Sequence, residues 1–141
     1  MADTLETLVA KQAITEALHR YCHALDRFDR AAADSVFHPD ATADYGEEIF
    51  RGTGHGFLDW VWPVHEGMQV HSHQVTNILI EVDGDSATSE TYVTVCLRVD
   101  DDTDIVDRGR YSDAWERRRG VWAITHRKFT DDIQQIISRH G

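Results

Sequence analysis

Four consecutive strand-like segments in the C-terminal half of the sequence constrain its fold more than any other feature. They share a high content of Val, Ile, Thr, Tyr and Trp, and they span residues 68–82, 86–99, 105–118 and 121–131. Short turn signals separate them, namely Asp83-Gly84-Asp85, the run from Asp100 to Asp104, and Arg119-Gly120. Strands joined by such short turns pair with their neighbours, so we expect a largely antiparallel sheet.

The N-terminal half of the sequence has a different periodicity. Apolar residues recur at spacings of three and four over residues 4–26, which predicts an amphipathic helix with Thr4 as its N-cap. Shorter helices are predicted for residues 29–37, ended by Pro39, and for residues 53–66, broken near Pro63. Two short strands are predicted within residues 41–51, and the end of the chain, DIQQIISRHG, is predicted to be a short helix or a tail.

Helices followed by a meander of strands indicate the α+β class. We expect a curved, mostly antiparallel sheet wrapped around the N-terminal helices and enclosing a pocket. No linker or repeat divides the sequence, and its 141 residues suit one domain with a substantial core, so residues 1–141 are predicted to form a single domain.

Charge and hydropathy exclude several classes of partner. The formal net charge of −11 leaves little with which to build a basic face, so neither nucleic acid nor an anionic membrane is expected to bind. The sequence has no apolar run of about 18 residues that would predict a transmembrane helix. Acidic residues stand where a signal peptide would be basic, and we therefore expect a cytoplasmic protein. Cys22 and Cys96 are predicted to be small buried hydrophobic residues.

Asp26 is an unusual residue for its position. It continues the apolar stripe of the first predicted helix through Leu18 and Cys22, and it lies near the C-terminal end, where the helix dipole disfavours an anion. Burying a carboxylate there is costly unless it is paired. Asp26 is therefore either a frayed, exposed helix end or a pocket carboxylate that pairs with a histidine or an arginine.

The stretch HSHQVTN, residues 71–77, places two histidines on one face of a predicted strand. Such a pair can bind a metal, but a metal site needs further ligands, and His55, His65 and His126 have no characteristic spacing, so we expect no metal. A single catalytic histidine needs only a partner that orients it, such as Asp26. On the later strands, a pocket-facing arginine could bind an anion, although cross-strand salt bridges are the alternative.

Five motifs together resemble the nuclear-transport-factor-2-like superfamily over residues 5–131: ALHRYCHALDRFD, VFHPDATADY, GTGHGFLDW, HSHQVTN and GRYSDAWERRRGVWAITHRKF. Within it the sequence most resembles the SnoaL-like branch, which includes scytalone dehydratase, lindane dehydrochlorinase and bile-acid dehydratase. The resemblance implies a cone-shaped α+β barrel with a deep pocket and no cofactor.

The resemblance also implies roles for individual residues. His73 matches the catalytic base of the dehydratase-like members, and Asp26 matches the aspartate that pairs with it. Tyr21, Tyr45 and Arg127 match pocket residues that assist the departing group or stabilise an enolate. Because His71 lies one pleat away, the choice of base between His71 and His73 stays open.

These observations together predict a cofactor-independent lyase, of the dehydratase or dehydrohalogenase type, that acts on a small apolar cyclic molecule. The residues expected to bind the substrate are mostly aromatic: Phe50, Trp60, Trp62, His71, Tyr92 and Tyr111. An isomerase or cyclase using the same dyad is an alternative, and so is a noncatalytic protein like the small subunit of ring-hydroxylating dioxygenases. The resemblance implies a homo-oligomer, with a trimer favoured over a dimer. The short C-terminal segment predicts a pocket that is open or is closed by another subunit.

Overall fold

The computed structural model describes residues 3–140, and in it the helices precede most of the sheet, as the α+β prediction requires. The helices are α1 (Leu5–Arg27), α2 (Arg30–Asp34) and α3 (Gly54–Glu66). The strands are β1 (Phe37–Asp44), β2 (Arg51–Thr53), β3 (Val70–Asp83), β4 (Ser86–Arg98), β5 (Thr103–Arg118) and β6 (Val121–Ser138).

The six strands form one mixed sheet in the order β2-β1-β6-β5-β4-β3. Strands β3 to β6 form the predicted antiparallel meander, while β1 runs parallel to β6 and antiparallel to β2. The sheet is not closed, because β2 and β3 each have only one neighbour among the described strands. The fold is therefore an α+β cone with two sheet edges, and the barrel that the resemblance implied is open.

Helix α1 supplies much of the core. Its first turn is capped by Thr4, whose hydroxyl oxygen accepts a hydrogen bond from the backbone N–H of Thr7. Ile14, Leu18 and Leu25 of its apolar stripe are almost completely buried and pack inside the cone. The helix ends at Phe28, which adopts a left-handed conformation with φ of 57°. Asp26 is thus held in the last turn, two residues before the chain changes direction.

Two predicted boundaries near the prolines are wrong. Helix α2 ends at Asp34 rather than at residue 37, because Phe37 and His38 are drawn into β1, where both are buried. Pairing with β6 there outweighs the local preference. Pro63 does not break α3, which continues to Glu66. Because proline has no N–H, Pro63 cannot donate a hydrogen bond to the carbonyl of Asp59. Both residues are exposed, so water can donate to that carbonyl instead.

The end of the chain was also predicted incorrectly. Residues 132–138 are neither a helix nor a tail but extend β6, pairing with β5 from Thr103 to Arg108. Three isoleucines favour a strand there, and the N-terminal part of β5 offers backbone groups that need partners. The register of this ladder shifts between Arg108 and Gly109. A Cβ at Gly109 would lie 2.2 Å from the carbonyl oxygen of Thr130, so the close approach of the two strands requires glycine there. β5 and β6 therefore run together far beyond the core.

The two faces of the sheet differ strongly. Alternate β4 residues, such as Val93, Val95 and Leu97, point inward and are buried, and they are joined by Tyr111 and Trp115 of β5. Together with α1 and α3 they build a single hydrophobic cluster. The intervening residues face outward and are largely exposed. The inner face is therefore where a pocket can form. No helix among residues 3–140 is both long and apolar enough to cross a membrane.

Candidate active site

Asp26 and His73 meet where the end of α1 lies against the edge strand β3. The carboxylate oxygen Oδ1 of Asp26 lies 2.6 Å from Nδ1 of the His73 ring. The backbone N–H of His73 also donates to the two carboxylate oxygens, at 3.1 and 3.0 Å. One carboxylate therefore holds both the backbone and the side chain of the same histidine, which restricts the ring to one orientation.

This contact fixes which ring nitrogen carries the proton. A carboxylate only accepts hydrogen bonds, so Nδ1 of His73 must be the donor to Asp26. In the neutral imidazole, Nε2 then has the free lone pair. No residue within 3–140 makes a hydrogen bond to Nε2 of His73. The arrangement therefore presents an unpaired basic nitrogen with a carboxylate behind it.

The two members of the dyad differ in exposure. The side chain of His73 is only 4% exposed, whereas that of Asp26 is 23% exposed. Asp26 borders a shallow groove on the outside, together with His19 and His23. His73 borders this groove and also a cavity on the inside of the cone. The histidine thus separates the carboxylate from the cavity, as a base held between its orienting partner and its substrate would.

The cavity has a volume of about 180 Å³. It lies between α1, α3 and the inner face of the sheet, and its wall is mostly apolar and aromatic, including Leu25, Phe57, Trp60, Val61, Val95, Leu97, Tyr111 and Phe129. Besides His73, five residues with polar groups border it, namely Tyr21, Tyr45, His65, Asp107 and Tyr111. An apolar cavity with a few converging polar groups is the usual form of a small-molecule site.

Tyr21 and Tyr45 form a pair of hydroxyls in the cavity wall. Their oxygens lie 3.3 Å apart. Burial, reinforced by neighbouring tyrosines, raises the pKa of Tyr21 well above its ordinary value, and burial likewise raises the pKa of Tyr45. Both therefore remain neutral phenols; one donates its hydrogen to the other, and the second can donate to an oxygen atom of a ligand. Tyr45 is held in place by Phe57, against which its ring stacks at 3.7 Å between centroids.

Arg127 does not reach the cavity. Its guanidinium makes two hydrogen bonds to the Asp113 carboxylate, at 2.8 and 2.9 Å, and both side chains are 0% exposed. It also lies against the rings of Tyr111 and Tyr21, with its central carbon 3.7 and 4.6 Å from the two ring centroids. Burial alone would lower the pKa of Arg127, but the Asp113 carboxylate outweighs it and the pKa lies above the ordinary value. The expected pocket arginine is instead a cross-strand salt bridge that supports the tyrosines from behind.

The predicted substrate-binding residues divide into two groups. Trp60 and Tyr111 border the cavity, whereas four others do not: Phe50, Trp62, His71 and Tyr92. Tyr92 is 53% exposed and, by strand alternation, lies on the outer face. Trp62 packs edge-on against Phe28, as does His71, and Phe50 packs behind Phe57. Aromatic content alone did not reveal which face each ring would occupy.

His71 is also distinguished from His73 by its contacts. Its Nε2 lies 2.6 Å from the backbone carbonyl oxygen of His65 at the end of α3. That carbonyl can only accept, so Nε2 of His71 carries a proton and its ring tethers α3 to β3. Between the two histidines of the motif, only His73 combines a carboxylate partner with access to the cavity.

Two polar residues of the cavity wall, His65 and Asp107, were not identified from the sequence. His65 continues the buried face of α3 four residues after Val61 and eight after Phe57, so helical spacing could have revealed it. Burial, together with the nearby His73 and His71, lowers the pKa of His65 to about 4. Asp107 lies on β5 opposite Val95, two and four residues before the buried Gly109 and Tyr111, so strand alternation could have revealed it.

A larger groove of about 510 Å³ lies on the other side of the sheet, bordered by residues such as Leu79, Glu90, Ser112 and Lys128. It is farther from the dyad, and its polar groups are mostly exposed side chains of the outer face. We therefore place the candidate active site in the smaller cavity, where buried polar groups converge. Among residues 3–140, no group of three or more His, Cys, Asp or Glu side chains is arranged to hold a metal ion.

Comparison with known proteins gives both a family and a fold. The model of a family described as the SnoaL-like domain matches residues 6–128. No curated protein sequence matches the chain.

Solved structures superpose closely at low identity. A scytalone dehydratase-like protein from Novosphingobium aromaticivorans is 21% identical, with 92% of this chain and 88% of that chain covered and a TM-score of 0.83. The hexachlorocyclohexane dehydrochlorinase LinA type 3 from Novosphingobium barchaimii is 23% identical, with coverages of 94% and 93% and a TM-score of 0.81. A nuclear-transport-factor-2-like protein from Salmonella enterica is 20% identical, with coverages of 90% and 94% and a TM-score of 0.77. At these identities the structures establish the nuclear-transport-factor-2-like fold.

Proposed function

Because the chain belongs to the SnoaL-like family, whose structural neighbours include enzymes, we propose that it is a cofactor-independent lyase of the dehydratase or dehydrohalogenase type. Its substrate is a small apolar cyclic molecule, and His73 is the base. The observation that carries the proposal is the alignment of three features: an outer carboxylate, an oriented imidazole and an apolar cavity.

In the proposed reaction, Nε2 of His73 removes a proton from a carbon atom of the substrate. The electrons of that C–H bond form a C=C bond to the neighbouring carbon, and hydroxide or halide leaves with its bonding electrons. Asp26 stabilises the imidazolium that forms, since it accepts the hydrogen bond from Nδ1 throughout. Tyr21 or Tyr45 donates a hydrogen bond to a departing oxygen.

The cavity constrains the size of the substrate. Its volume of about 180 Å³ lies below the range of about 300–1,000 Å³ that is common for ligand sites. A molecule with one ring or two fused rings is therefore a better candidate than a four-ring steroid. The relatives whose names specify a substrate include a dehydrochlorinase of hexachlorocyclohexane, a single substituted ring.

An isomerase that uses the same dyad is the second candidate, and the two tyrosines favour it. Arg127 is sealed beneath the wall, so within residues 3–140 no arginine side chain borders the cavity to attract a departing anion. The paired hydroxyls of Tyr21 and Tyr45 suit the oxygen of an enolate, which forms when the proton removed lies next to a carbonyl. The proton would then return at another carbon, and nothing would leave.

Deuterium exchange tests proton removal whatever the fate of the carbanion. We would incubate the protein in D₂O with a panel of cyclic ketones, cyclic alcohols and hexachlorocyclohexane, and follow C–H exchange and product formation by NMR. The wild type is expected to accelerate exchange or elimination of at least one compound. His73→Gln is expected to lose this activity by a factor of about 10³ or more, since the base is removed.

The controls identify the histidine responsible. His126→Gln changes an exposed histidine that bonds to Thr42 on the outer side of the sheet, and it should retain the activity of the wild type. His71→Gln should retain activity within about tenfold, because its ring does not border the cavity. A greater loss in His71→Gln than in His73→Gln would reverse the assignment. Absence of exchange and elimination across the panel would favour a noncatalytic protein.

We also propose that the chain forms a homo-oligomer, with a trimer favoured over a dimer. The groove on the outer face and the exposed apolar side chains beside it, Leu79 at 73% and Tyr92 at 53% exposed, support a subunit contact there. Sedimentation equilibrium would give the mass of the particle, and Leu79→Glu is expected to lower it. A wild-type mass equal to that of one chain at micromolar concentration would contradict the proposal.

A further inference from the structure

His65 stands out among the polar groups of the cavity wall because one of its ring nitrogens is sealed from solvent without a partner. It lies on the inner face of α3, is 8% exposed, and borders the cavity together with His73. Its Nδ1 is sealed from solvent and makes no hydrogen bond within residues 3–140. Its Nε2 makes none either, but it is not sealed. A buried polar side chain left in this state is uncommon and calls for an explanation.

The surroundings of His65 decide which nitrogen carries its proton. A sealed N–H without an acceptor is rarer and more costly than a sealed lone pair without a donor. The tautomer with the proton on Nε2 is therefore favoured, because it leaves only a lone pair on the sealed side. In this tautomer the N–H donor is on the nitrogen that is not sealed. A ligand in the cavity can supply its acceptor.

His65 and its two neighbouring histidines differ in their hydrogen-bond partners, although their rings lie close together. The His71 ring lies 5.1 Å and the His73 ring 5.7 Å from the His65 ring, measured between centroids. No carboxylate makes a hydrogen bond to the His65 ring, whereas Asp26 makes one to His73. The two rings that border the cavity therefore differ in function: one has a free lone pair, and the other has a free N–H.

We propose that His65 is a substrate-binding residue whose Nε2–H donates a hydrogen bond to an oxygen of the ligand, and that the ligand therefore carries a carbonyl or hydroxyl oxygen within reach of His73. This inference rests on the proposed function and narrows it. An oxygenated ring satisfies both imidazoles at once, because its oxygen accepts from His65 while a nearby C–H faces His73. A purely halogenated ring would leave the N–H of His65 unpaired, at a cost in affinity.

The tautomer can be measured directly in the unmodified protein. Long-range ¹H–¹⁵N NMR correlations distinguish the two tautomers of a histidine by the shifts of its ring nitrogens. We expect His65 to carry its proton on Nε2 and to remain neutral at pH 6. A proton on Nδ1, or a charged ring at pH 6, would overturn the proposal without any reference to catalysis.

Binding of a matched pair of ligands tests the hydrogen bond itself. The probes are 1-tetralone and 1-methylenetetralin, which have similar shapes but carry C=O and C=CH₂ groups at the same position. The wild type is expected to bind the ketone about tenfold more tightly, the change that one additional hydrogen bond provides. The carbonyl stretching band of the bound ketone should also move to lower frequency.

Three substitutions make the test specific to Nε2. His65→Gln places an amide N–H near the position of Nε2 and should preserve the preference for the ketone. His65→Asn reaches only the position of Nδ1 and should lose it, as should His65→Phe, which fills the space without a donor. Retention of the preference in His65→Phe would overturn the proposal, as would equal affinity of the wild type for both probes, including no detectable binding of either.

The same experiment separates this inference from the function on which it rests. His73→Gln should abolish proton exchange but leave the preference for 1-tetralone intact, because His65 is unchanged. If wild-type protein prefers the ketone yet never exchanges its protons, the proposed reaction fails while the role of His65 stands. If exchange occurs and His65→Phe leaves both exchange and ketone preference unaltered, the reaction stands and the role of His65 fails.

Discussion

Two of the acid–base pairs in this fold differ in what surrounds them. Asp113 and Arg127 face each other across β5 and β6 with both side chains 0% exposed and two hydrogen bonds between them. Asp26 and His73 join α1 to β3 through a single side-chain contact of 2.6 Å, with the carboxylate 23% exposed. The first pair makes its two hydrogen bonds within itself and leaves Nη1 of Arg127 buried without a partner, whereas the second leaves a ring nitrogen free beside the cavity.

The difference shows that a charged pair becomes a catalytic candidate when it leaves an unsatisfied atom that a ligand can reach. The guanidinium of Arg127 stays charged because Asp113 outweighs the cost of burial, and aromatic rings cover it. Such a pair contributes rigidity but cannot exchange a proton with a ligand. The His73 ring, by contrast, is oriented on one side and open on the other. The predictions below test this contrast in order of decreasing effect.

The largest effect is expected when one member of the sealed pair is removed. Asp113→Ala should lower the free energy of unfolding by about 3–5 kcal/mol, because it leaves a buried guanidinium without its anion. Urea denaturation followed by circular dichroism would measure the loss. The double variant Asp113→Leu with Arg127→Met should recover most of it, since no charge remains buried. A loss of less than about 1 kcal/mol in Asp113→Ala would show that the pair is not sealed as described.

The corresponding change in the open pair should affect activity more than stability. Asp26→Asn preserves the size of the side chain but removes the charge that stabilises the imidazolium and fixes its tautomer. We expect kcat/KM for the exchange reaction to fall by about 10²–10⁴. Urea denaturation should show a change of only about 1 kcal/mol in the free energy of unfolding. An Asp26→Asn variant with full activity would contradict the dyad.

The smallest expected effect is the influence of His65, which lies beside the Asp26–His73 pair, on the pH dependence of stability. The pKa of His65 is lowered to about 4 by burial and by the adjacent His73 and His71, whereas it is about 6.5 in the unfolded chain. Below about pH 6.5 the unfolded state therefore binds a proton that the folded state does not, and stability falls until about pH 4. Above about pH 6.5 both states are neutral and His65 has no such effect.

His65→Gln removes this titration. Between about pH 6.5 and pH 4, its free energy of unfolding should fall less steeply than that of the wild type, by up to about 3 kcal/mol in total. Denaturation midpoints across this range would measure the difference. Parallel pH profiles of the two proteins would indicate that the His65 ring becomes charged in the folded state.

Much of the fold could be predicted because its signals are local. Periodicity located α1 and the four long strands, and the turns between the strands required antiparallel neighbours. The errors arose where pairing with a distant part of the chain determines the secondary structure. Phe37 belongs to β1 because it pairs with Ile124 of β6, and residues 132–138 form a strand because β5 extends to meet them.

The candidate site could be predicted only in part, for a related reason. The proximity of Asp26 and His73 could be anticipated. A carboxylate on an apolar helix face is costly to bury without a partner, and a catalytic histidine needs a partner that orients it, so pairing meets both requirements. The burial of Arg127 could not be anticipated in this way, because the sequence does not show that Asp113 lies opposite it on the neighbouring strand. His65 was considered from the sequence only as a possible metal ligand without characteristic spacing, because the cavity beside it cannot be seen in the sequence.

The hydrogen bond from the backbone N–H of His73 to Asp26 also affects how the sheet edge can associate with other molecules. β3 is an edge of the sheet, and an edge with free backbone donors can recruit a strand from another molecule and so begin aggregation. By occupying this donor, Asp26 helps to shield the edge. A descendant of this protein that lost its reaction could therefore still be selected to keep the aspartate, whereas nothing in the sheet would require it to keep the imidazole. In a relative of unknown activity, a surviving histidine at this position would consequently be more informative than a surviving aspartate.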